Sequence, residues 1–469
     1  MKKKFILISV LSFFNMLGQI NSNQYFEMSK KLTTDQDFDK ALSSIDNALK
    51  LDSLDRTYLL QKIKILYYKS DCESGLIILN KLLAKEKKPD DETISYFCDL
   101  ADCLNESSQA SEILTDYIEK KKFKSNEMIV KLAQRLYLEK NYEKSIYYYK
   151  EYLKLNSKDI NAIIDLARIT YSYRGSEEGI KIIKNALNNI ENNIELLTCL
   201  SNFYFIGKNY QKAIEIENQI IKLNYDATHI ATRAMLYEKT KKLDKAYEDN
   251  IKVISLLKCS SEYYYTKVLQ YEFDNRLFEN VVKHSLELIE CNKSYENSVI
   301  DGLYTSLFFC GNFEKGKVYL EKKIITAPDT FNPYYLKLLI LFKDKQYDGI
   351  LKYIDLATKT KDIDFNNLNN INLLKFSYYL VKEDYQGFIN YWKSGEVKSL
   401  DNNLNFTFTE GTISDETKLE TNFNKETGVI NTTLIIPSKV FRLLMDKYNF
   451  KIEINTKKST YDSDKSSQR

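Results

Sequence analysis

The apolar positions of residues 126–159 predict two amphipathic helices joined by a short polar turn. In NEMIVKLAQRLYLEK the apolar residues recur three or four places apart and so share one helix face: Ile129, Leu132, Ala133 and Leu136. A polar turn with Asn141 follows, and YEKSIYYYKEYLKL then places Tyr142, Ser145, Tyr149 and Tyr152 on the apolar face of a second helix. The pattern therefore predicts a helix–turn–helix unit in which the two faces pack together.

The same unit recurs along the chain. The turn and the start of its second helix are repeated in QDFDKALSSI (36–45), KNYQKAIEIE (208–217), GNFEKGKVYL (311–320) and KQYDGILKYI (345–354). The residue that follows the aromatic residue and two polar residues is usually small, and it occurs at Ala41, Gly75, Ser111, Ser145, Gly179, Ala213, Ala246, Val281, Gly316, Ile350 and Phe388. A spacing of about 34 residues over eleven copies predicts a solenoid of stacked helix pairs.

One copy, GNFEKGKV at 311–318, is one residue short of a phosphate-binding loop, which would carry Ser or Thr after the lysine. Both flanks have helical patterns, and Val318 cannot bind magnesium. Gly316 also stands at the repeated small position. We therefore predict a close helix contact here and no nucleotide site.

The repeat resembles the tetratricopeptide repeat, which has small residues at its eighth, twentieth and twenty-seventh places. The eighth place holds Ala133, Ala167, Ser201 and Ala234, and the twentieth holds Ser145, Gly179, Ala213 and Ala246. The twenty-seventh stays small only at Ala186, and repeats after about residue 260 are more degenerate. The resemblance implies an all-α, right-handed superhelical solenoid of about eleven helix pairs over residues 23–394.

The resemblance also implies a concave face lined by the first helix of each pair. In the three most regular repeats the ninth and twelfth places hold Gln134, Tyr137, Arg168, Tyr171, Asn202 and Phe205. These six residues are the candidate peptide-binding groove, since amides and a guanidinium bind peptide polar groups and rings supply rigid apolar contacts. The alternative is that the rings fill gaps between repeats. Val130 and Ile164 occupy places where the family's carboxylate clamp would need Lys or Asn, so that clamp does not carry over.

The N-terminus has the pattern of an export signal. MKKK is followed by the apolar run FILISVLSFFNMLG, which is too short to span a bilayer comfortably. Cleavage would follow Gly18 or Ser22, and we take residues 1–22 as the signal peptide; an uncleaved anchor is the alternative. Without it the chain has equal numbers of acidic and basic residues, interspersed, which argues against nucleic-acid binding. No later segment predicts a transmembrane helix. We expect a periplasmic, envelope-associated or secreted protein.

Residues after the repeats have a different pattern. Strand-like segments at 404–409, 417–423 and 429–436 are followed by a short helix and FKIEI, which predicts a small α+β element over 395–456. It would cap the last repeat or form a docking surface. Residues 457–469 have a composition typical of disorder.

Candidate chemistry is sparse. The seven cysteines are irregularly spaced and odd in number, so we expect small buried residues rather than a disulfide framework. The two histidines, His229 and His284, lie in different repeats, and no metal-ligand spacing is present. We therefore expect no enzyme activity, metal or cofactor. The sequence favours an exported scaffold that binds protein segments, and the alternative is glycan or other ligand binding through the tyrosine-rich groove.

Overall fold

A computed structural model describes residues 21–85, 89–394, 404–409 (backbone) and 416–448. The signal peptide predicted at 1–22 lies outside the described residues except for Asn21 and Ser22. The tail predicted at 457–469 and the strand-like FKIEI also lie outside them. The chain forms two compact units, Met1–Tyr225 and Asp226–Arg469.

The described residues of the first unit form a series of six helix pairs. Its helices are α1 (Ser22–Thr34), α2 (Phe38–Leu51), α3 (Arg56–Tyr68), α4 (Cys72–Lys85), α5 (Asp91–Cys103), α6 (Ser107–Lys120), α7 (Asn126–Leu138), α8 (Tyr142–Leu155), α9 (Ile160–Arg174), α10 (Ser176–Asn189), α11 (Ile194–Ile206) and α12 (Tyr210–Leu223). Odd-numbered helices are the first of each pair and even-numbered helices the second.

The described residues of the second unit form five pairs before the C-terminal element. These are α13 (Ala227–Lys239), α14 (Leu243–Leu257), α15 (Glu262–Asp274), α16 (Phe278–Cys291), α17 (Glu296–Phe309), α18 (Phe313–Thr326), α19 (Phe331–Lys343), α20 (Ile350–Ala357), α21 (Phe365–Val381) and α22 (Tyr385–Lys393). Short 3₁₀ turns occupy Lys258–Ser260, Lys293–Tyr295 and Tyr347–Gly349. The eleven pairs confirm the predicted all-α repeat architecture.

Ten of the eleven turns inside the described pairs are built in the same way, and the turn at Gly175 (φ 113°, ψ 160°) is shorter and differs. One residue with positive φ ends every first helix: Gln36, Ser70, Asn105, Lys140, Gly175, Lys208, Lys241, Arg276, Gly311, Lys345 and Glu383. A left-handed residue is a common way to stop a helix. In several pairs the next residue is Asn or Asp and caps the second helix, as Asn141 does by accepting from the Lys144 amide.

Small residues let the paired helices approach closely, as the sequence predicted. A methyl group on Gly316 would lie 2.4 Å from the Phe308 ring, and one on Gly179 would lie 2.5 Å from the Tyr171 Cβ. The Gly316 amide donates to the Asn312 carbonyl 3.0 Å away, inside the first turn of α18. GNFEKGKV is therefore a helix-packing site, and its amides do not converge on an anion.

The cysteine prediction was wrong, because four of the seven cysteines form disulfides. Cys72, which begins α4, is bonded to Cys103, which ends α5, with a Cα–Cα distance of 6.2 Å. Cys259, in the turn before α15, is bonded to Cys291 at the end of α16, with a Cα–Cα distance of 5.1 Å. Their sequence separations, 31 and 32 residues, are close to one repeat. Packed repeats bring such positions together even though the cysteines look irregularly spaced along the sequence.

The C-terminal element contains a three-stranded sheet and a helix, which confirms the predicted α+β character. Strands β1 (Leu404–Thr409), β2 (Lys418–Asn424) and β3 (Val429–Pro437) have the order β1-β3-β2. β1 is parallel to β3 and β2 is antiparallel to it, and α23 (Ser438–Tyr448) follows. Gly428, with φ of 65°, closes the β2–β3 hairpin, and its amide donates to the Asn424 carbonyl.

This element packs on several repeats and not on the last one alone. β2 contacts the first helices α17, α19 and α21. Helix α19 is apolar around most of its circumference because its second helix covers one side and the sheet covers another. Its ninth and twelfth repeat places, Leu339 and Phe342, share one buried cluster with Leu419 and Leu434 of the sheet. In this repeat the places that would line a groove are filled by the chain itself.

Candidate functional site

Three polar side chains of the candidate groove lie on the outside of first helices in the first unit. Gln134 on α7, Arg168 on α9 and Asn202 on α11 are all exposed. On the opposite faces of these helices, Leu132, Leu166 and Leu200, respectively, are buried in the core. The ninth place therefore points away from the core in three successive repeats.

The aromatic side chains of the candidate groove do not share one environment. Tyr137 is 46% exposed, and its ring centroid lies 5.8 Å from that of Tyr142. Tyr171 is half-buried: its ring stacks on Phe203 at 4.3 Å, and its hydroxyl donates to the Phe203 carbonyl at 3.1 Å. Phe205 is half-buried beside Tyr210. Tyr171 joins two first helices, whereas Tyr137 presents an open ring.

Two of the polar side chains also contact groups of their own scaffold. Burial raises the pKa of the Cys199 thiol, and the neighbouring Arg168 guanidinium opposes that rise. Burial and Asp165 raise the pKa of Tyr149, while a hydrogen bond with Gln134 acts in the opposite direction. The Tyr149 hydroxyl donates to Asp165 at 3.0 Å. The outward column is thus connected to the packed interior.

A set of polar residues that sequence reasoning missed ties one repeat to the next. Arg135 on α7 is 7% exposed, forms an ion pair with Asp102 and donates to the Ser107 carbonyl at 2.9 Å. On the same helix Lys131 forms an ion pair with Asp99 at 2.6 Å. Arg135 and Asp102 are 33 residues apart, and Lys131 and Asp99 are 32 residues apart. Each pair spans about one repeat, so comparing positions one repeat apart in the sequence could have found both.

The described residues contain no group of three side chains suited to holding a metal ion. His284 is buried, and its Nδ1 lies 2.8 Å from the Glu272 carboxylate, which also accepts from the Tyr247 hydroxyl at 2.8 Å. Burial and the bond to Glu272 raise the pKa of Tyr247 to about 12. These groups satisfy one another inside the helix stack. In the described part of the chain no helix is long and apolar enough to cross a membrane.

Comparison with known proteins yields similarity at the level of architecture. Neither a family model nor a curated protein matches the sequence. A tetratricopeptide repeat protein of Parabacteroides merdae is 15% identical over 53% of this chain and 97% of its own, with a TM-score of 0.36. The C-terminal part of a repeat protein from Cytophaga hutchinsonii is 13% identical over 52% of this chain and 99% of its own, with a TM-score of 0.39.

PilW, described as a type IV pilus biogenesis factor, is 17% identical over 44% of this chain and 93% of its own, with a TM-score of 0.34. At these identities and TM-scores we draw nothing about function from the likeness. The repeat character of the described chain is seen in its own geometry: first helices are mostly of 13 residues and second helices mostly of 14.

Proposed function

We propose that this protein is a non-enzymatic, exported scaffold that binds protein segments along the outward faces of its first helices. The observation that carries the proposal is the exposed column of Gln134, Arg168 and Asn202 beside the open ring of Tyr137. Amide and guanidinium groups can bond to the backbone and carboxylates of an extended segment, and the ring adds apolar contact area.

The two disulfides support export. Disulfides persist in oxidising compartments such as the bacterial periplasm and are rare in the cytosol. Cys72–Cys103 and Cys259–Cys291 therefore agree with the leader-like pattern at 1–22. Together these features favour a periplasmic, envelope-associated or secreted protein.

The binding mechanism requires no chemistry. Stacked repeats hold the first helices in place before a partner arrives, which lowers the entropy lost on association. A few central side chains would then supply most of the binding free energy, and exposed charges such as Arg168 would mainly set specificity and association rate.

The test compares two variants of the full chain, expressed with its leader, in cross-linked recovery from the native envelope. The site variant is Tyr137→Ala/Arg168→Glu. It keeps Tyr171, because that side chain holds two helices together. The matched control, Tyr147→Ala/Lys150→Glu, likewise truncates a tyrosine and reverses a positive charge, at exposed positions of the second helix α8.

We expect a stoichiometric protein partner whose recovery falls at least about tenfold in the site variant and not in the control. Equal recovery by both variants would remove the binding surface from these repeats. Retention on polysaccharide with no protein partner would instead favour glycan binding.

A further inference from the structure

The second unit contains a pocket between two of its first helices, α15 and α17, and the second helix α16. Residues of α15, α16 and α17 enclose about 380 Å³. Leu269, Phe273 and Val281 supply apolar walls. Gln270 and Phe273 stand at the ninth and twelfth places of α15, the same repeat places as Gln134 and Tyr137 in the first unit. The pocket therefore lies where a groove-bound segment would pass, and its volume is that of a small ligand site.

One polar side chain in the pocket lacks a partner. Ser285 on α16 lines the pocket and is 1% exposed, yet within the described residues its hydroxyl makes no hydrogen bond. A helical serine can usually bond to the carbonyl four residues earlier, and a buried hydroxyl without any partner costs free energy. A polar atom of a bound group would satisfy this hydroxyl once the Ser285 side chain rotates towards the pocket.

The pocket is continuous with an interface that the chain already uses. The ring centroids of Phe273 and Phe278 are 5.9 Å apart, and those of the stacked rings of Phe278 and Phe309 are 4.5 Å apart. The Phe309 ring in turn lies edge-on to Phe423 of β2, with 5.8 Å between the ring centroids. Next to this row, Arg276 donates to the Glu426 carbonyl at 2.9 Å. An extended strand with an inserted aromatic ring is thus already bound to the neighbouring first helices.

We propose that this pocket receives a tyrosine side chain from an extended segment of a partner protein. The ring would lie against Phe273, Leu269 and Val281, and its hydroxyl would bond to Ser285. Buried tyrosine rings need apolar walls and one hydrogen-bond partner, which is the combination present here. The proposal rests on the protein-binding function proposed above and names an anchor site and its ligand chemistry in the second unit.

Gly302 on α17 offers a way to fill the pocket without disturbing the fold. A Cβ built at Gly302 would meet only the Val281 Cγ1, at an ordinary 3.8 Å, so a larger side chain has room. Leucine is also a better helix former than glycine. Gly302→Leu should therefore fold and block the pocket, and Ser172→Leu, on the exposed side of α9, is a control for added apolar bulk.

The first experiment measures dissociation constants of p-cresol and toluene by ligand-detected NMR. We expect p-cresol to bind wild type saturably and more tightly than toluene. Ser285→Ala should abolish that preference without lowering thermal stability, because it removes an unsatisfied hydroxyl. Gly302→Leu should weaken p-cresol binding at least about tenfold and Ser172→Leu should not. Equal binding by wild type and Gly302→Leu, or a preference that survives Ser285→Ala, would overturn the proposal.

The second experiment places the photo-crosslinker p-benzoylphenylalanine at position 270, on the exposed rim, in the full chain in its native cells. We expect a crosslink to a tyrosine-containing segment of another protein, identified by mass spectrometry and lost in Gly302→Leu. Crosslinks only to lipid, to a small molecule or to a second copy of this chain would overturn the proposal. If partner capture depends on Tyr137 and Arg168 but not on Gly302, protein binding stands and the pocket assignment fails. No capture by any variant would count against the proposed function itself.

Discussion

Removing the Cys72–Cys103 disulfide should loosen one repeat junction strongly and locally. The bond joins the start of α4 to the end of α5 across 31 residues. In the chain-entropy description, a loop of this length removes about 12 cal/mol/K from the unfolded chain, or about 3 to 4 kcal/mol at 25 °C. Because a repeat contacts only its neighbours, the effect should be confined to the helices near the bond.

The variant is Cys72→Ala/Cys103→Ala, which avoids placing a hydroxyl at the buried position 72. Amide hydrogen exchange of α4 and α5 should accelerate by roughly 10² to 10³, the ratio that corresponds to this free energy. Exchange in α11 and α12 should stay unchanged. Cys310→Ala, at a half-buried free thiol, is the matched control.

Reducing the wild-type protein should reproduce the faster exchange of α4 and α5, and it should also accelerate exchange near α16, because it breaks Cys259–Cys291 as well. Exchange in α4 and α5 that stays within about threefold of the oxidised protein would refute the loop-entropy reasoning. Free thiols at both positions in protein purified from its native compartment would also refute the inference of export drawn from this bond.

Three further predictions concern a helix cap, an ion pair and the C-terminal hairpin. Asn21 and Gln24 form a reciprocal cap on α1, so Asn21→Ala should lower local stability by about 1 kcal/mol in hydrogen exchange. This cap exists in the exported chain only if the leader is cleaved after Gly18, since cleavage after Ser22 removes Asn21, and mass spectrometry of the mature N-terminus distinguishes the two sites. Burial opposes ionisation of Asp102, but its bonds from Arg135 and Ser107 prevail and lower its pKa. Stability from this pair is therefore full above about pH 4 and lost as pH falls towards the lowered pKa, and Asp102→Asn should flatten that part of a pH–stability curve. Phe423→Ala should cost about 2 kcal/mol and speed proteolysis within 416–448, whereas Val429→Ala, at a half-exposed position, should not.

Position within the repeat predicted the exposure of some candidate groove residues and not of others. The places of Gln134, Arg168 and Asn202 follow from counting residues within each repeat, and the structure leaves all three exposed. The same counting assigned Tyr171 to the groove together with Tyr137. Only the tertiary structure separates them, because the Tyr171 ring finds Phe203 on a neighbouring helix.

The cysteines show a different limit. The spacing of the cysteines along the chain suggests no disulfide framework. Cys72 and Cys103 nevertheless form a disulfide, because the second helix of one pair lies antiparallel to the first helix of the next pair. The same frame places Lys131 and Arg135 against acids of the preceding repeat. These pairs could have been predicted from sequence by comparing positions one repeat apart.

The sequence by itself determined the helix pairs, their close-packing residues and the number of repeats, because each of these depends on contacts within a repeat or between neighbours. The tertiary structure alone decided that the C-terminal sheet lies on α17, α19 and α21 and that Arg276 binds Glu426, 150 residues away. Contacts at that separation depend on where the chain folds back, and no local periodicity encodes that position. The buried groove places of α19 follow from it.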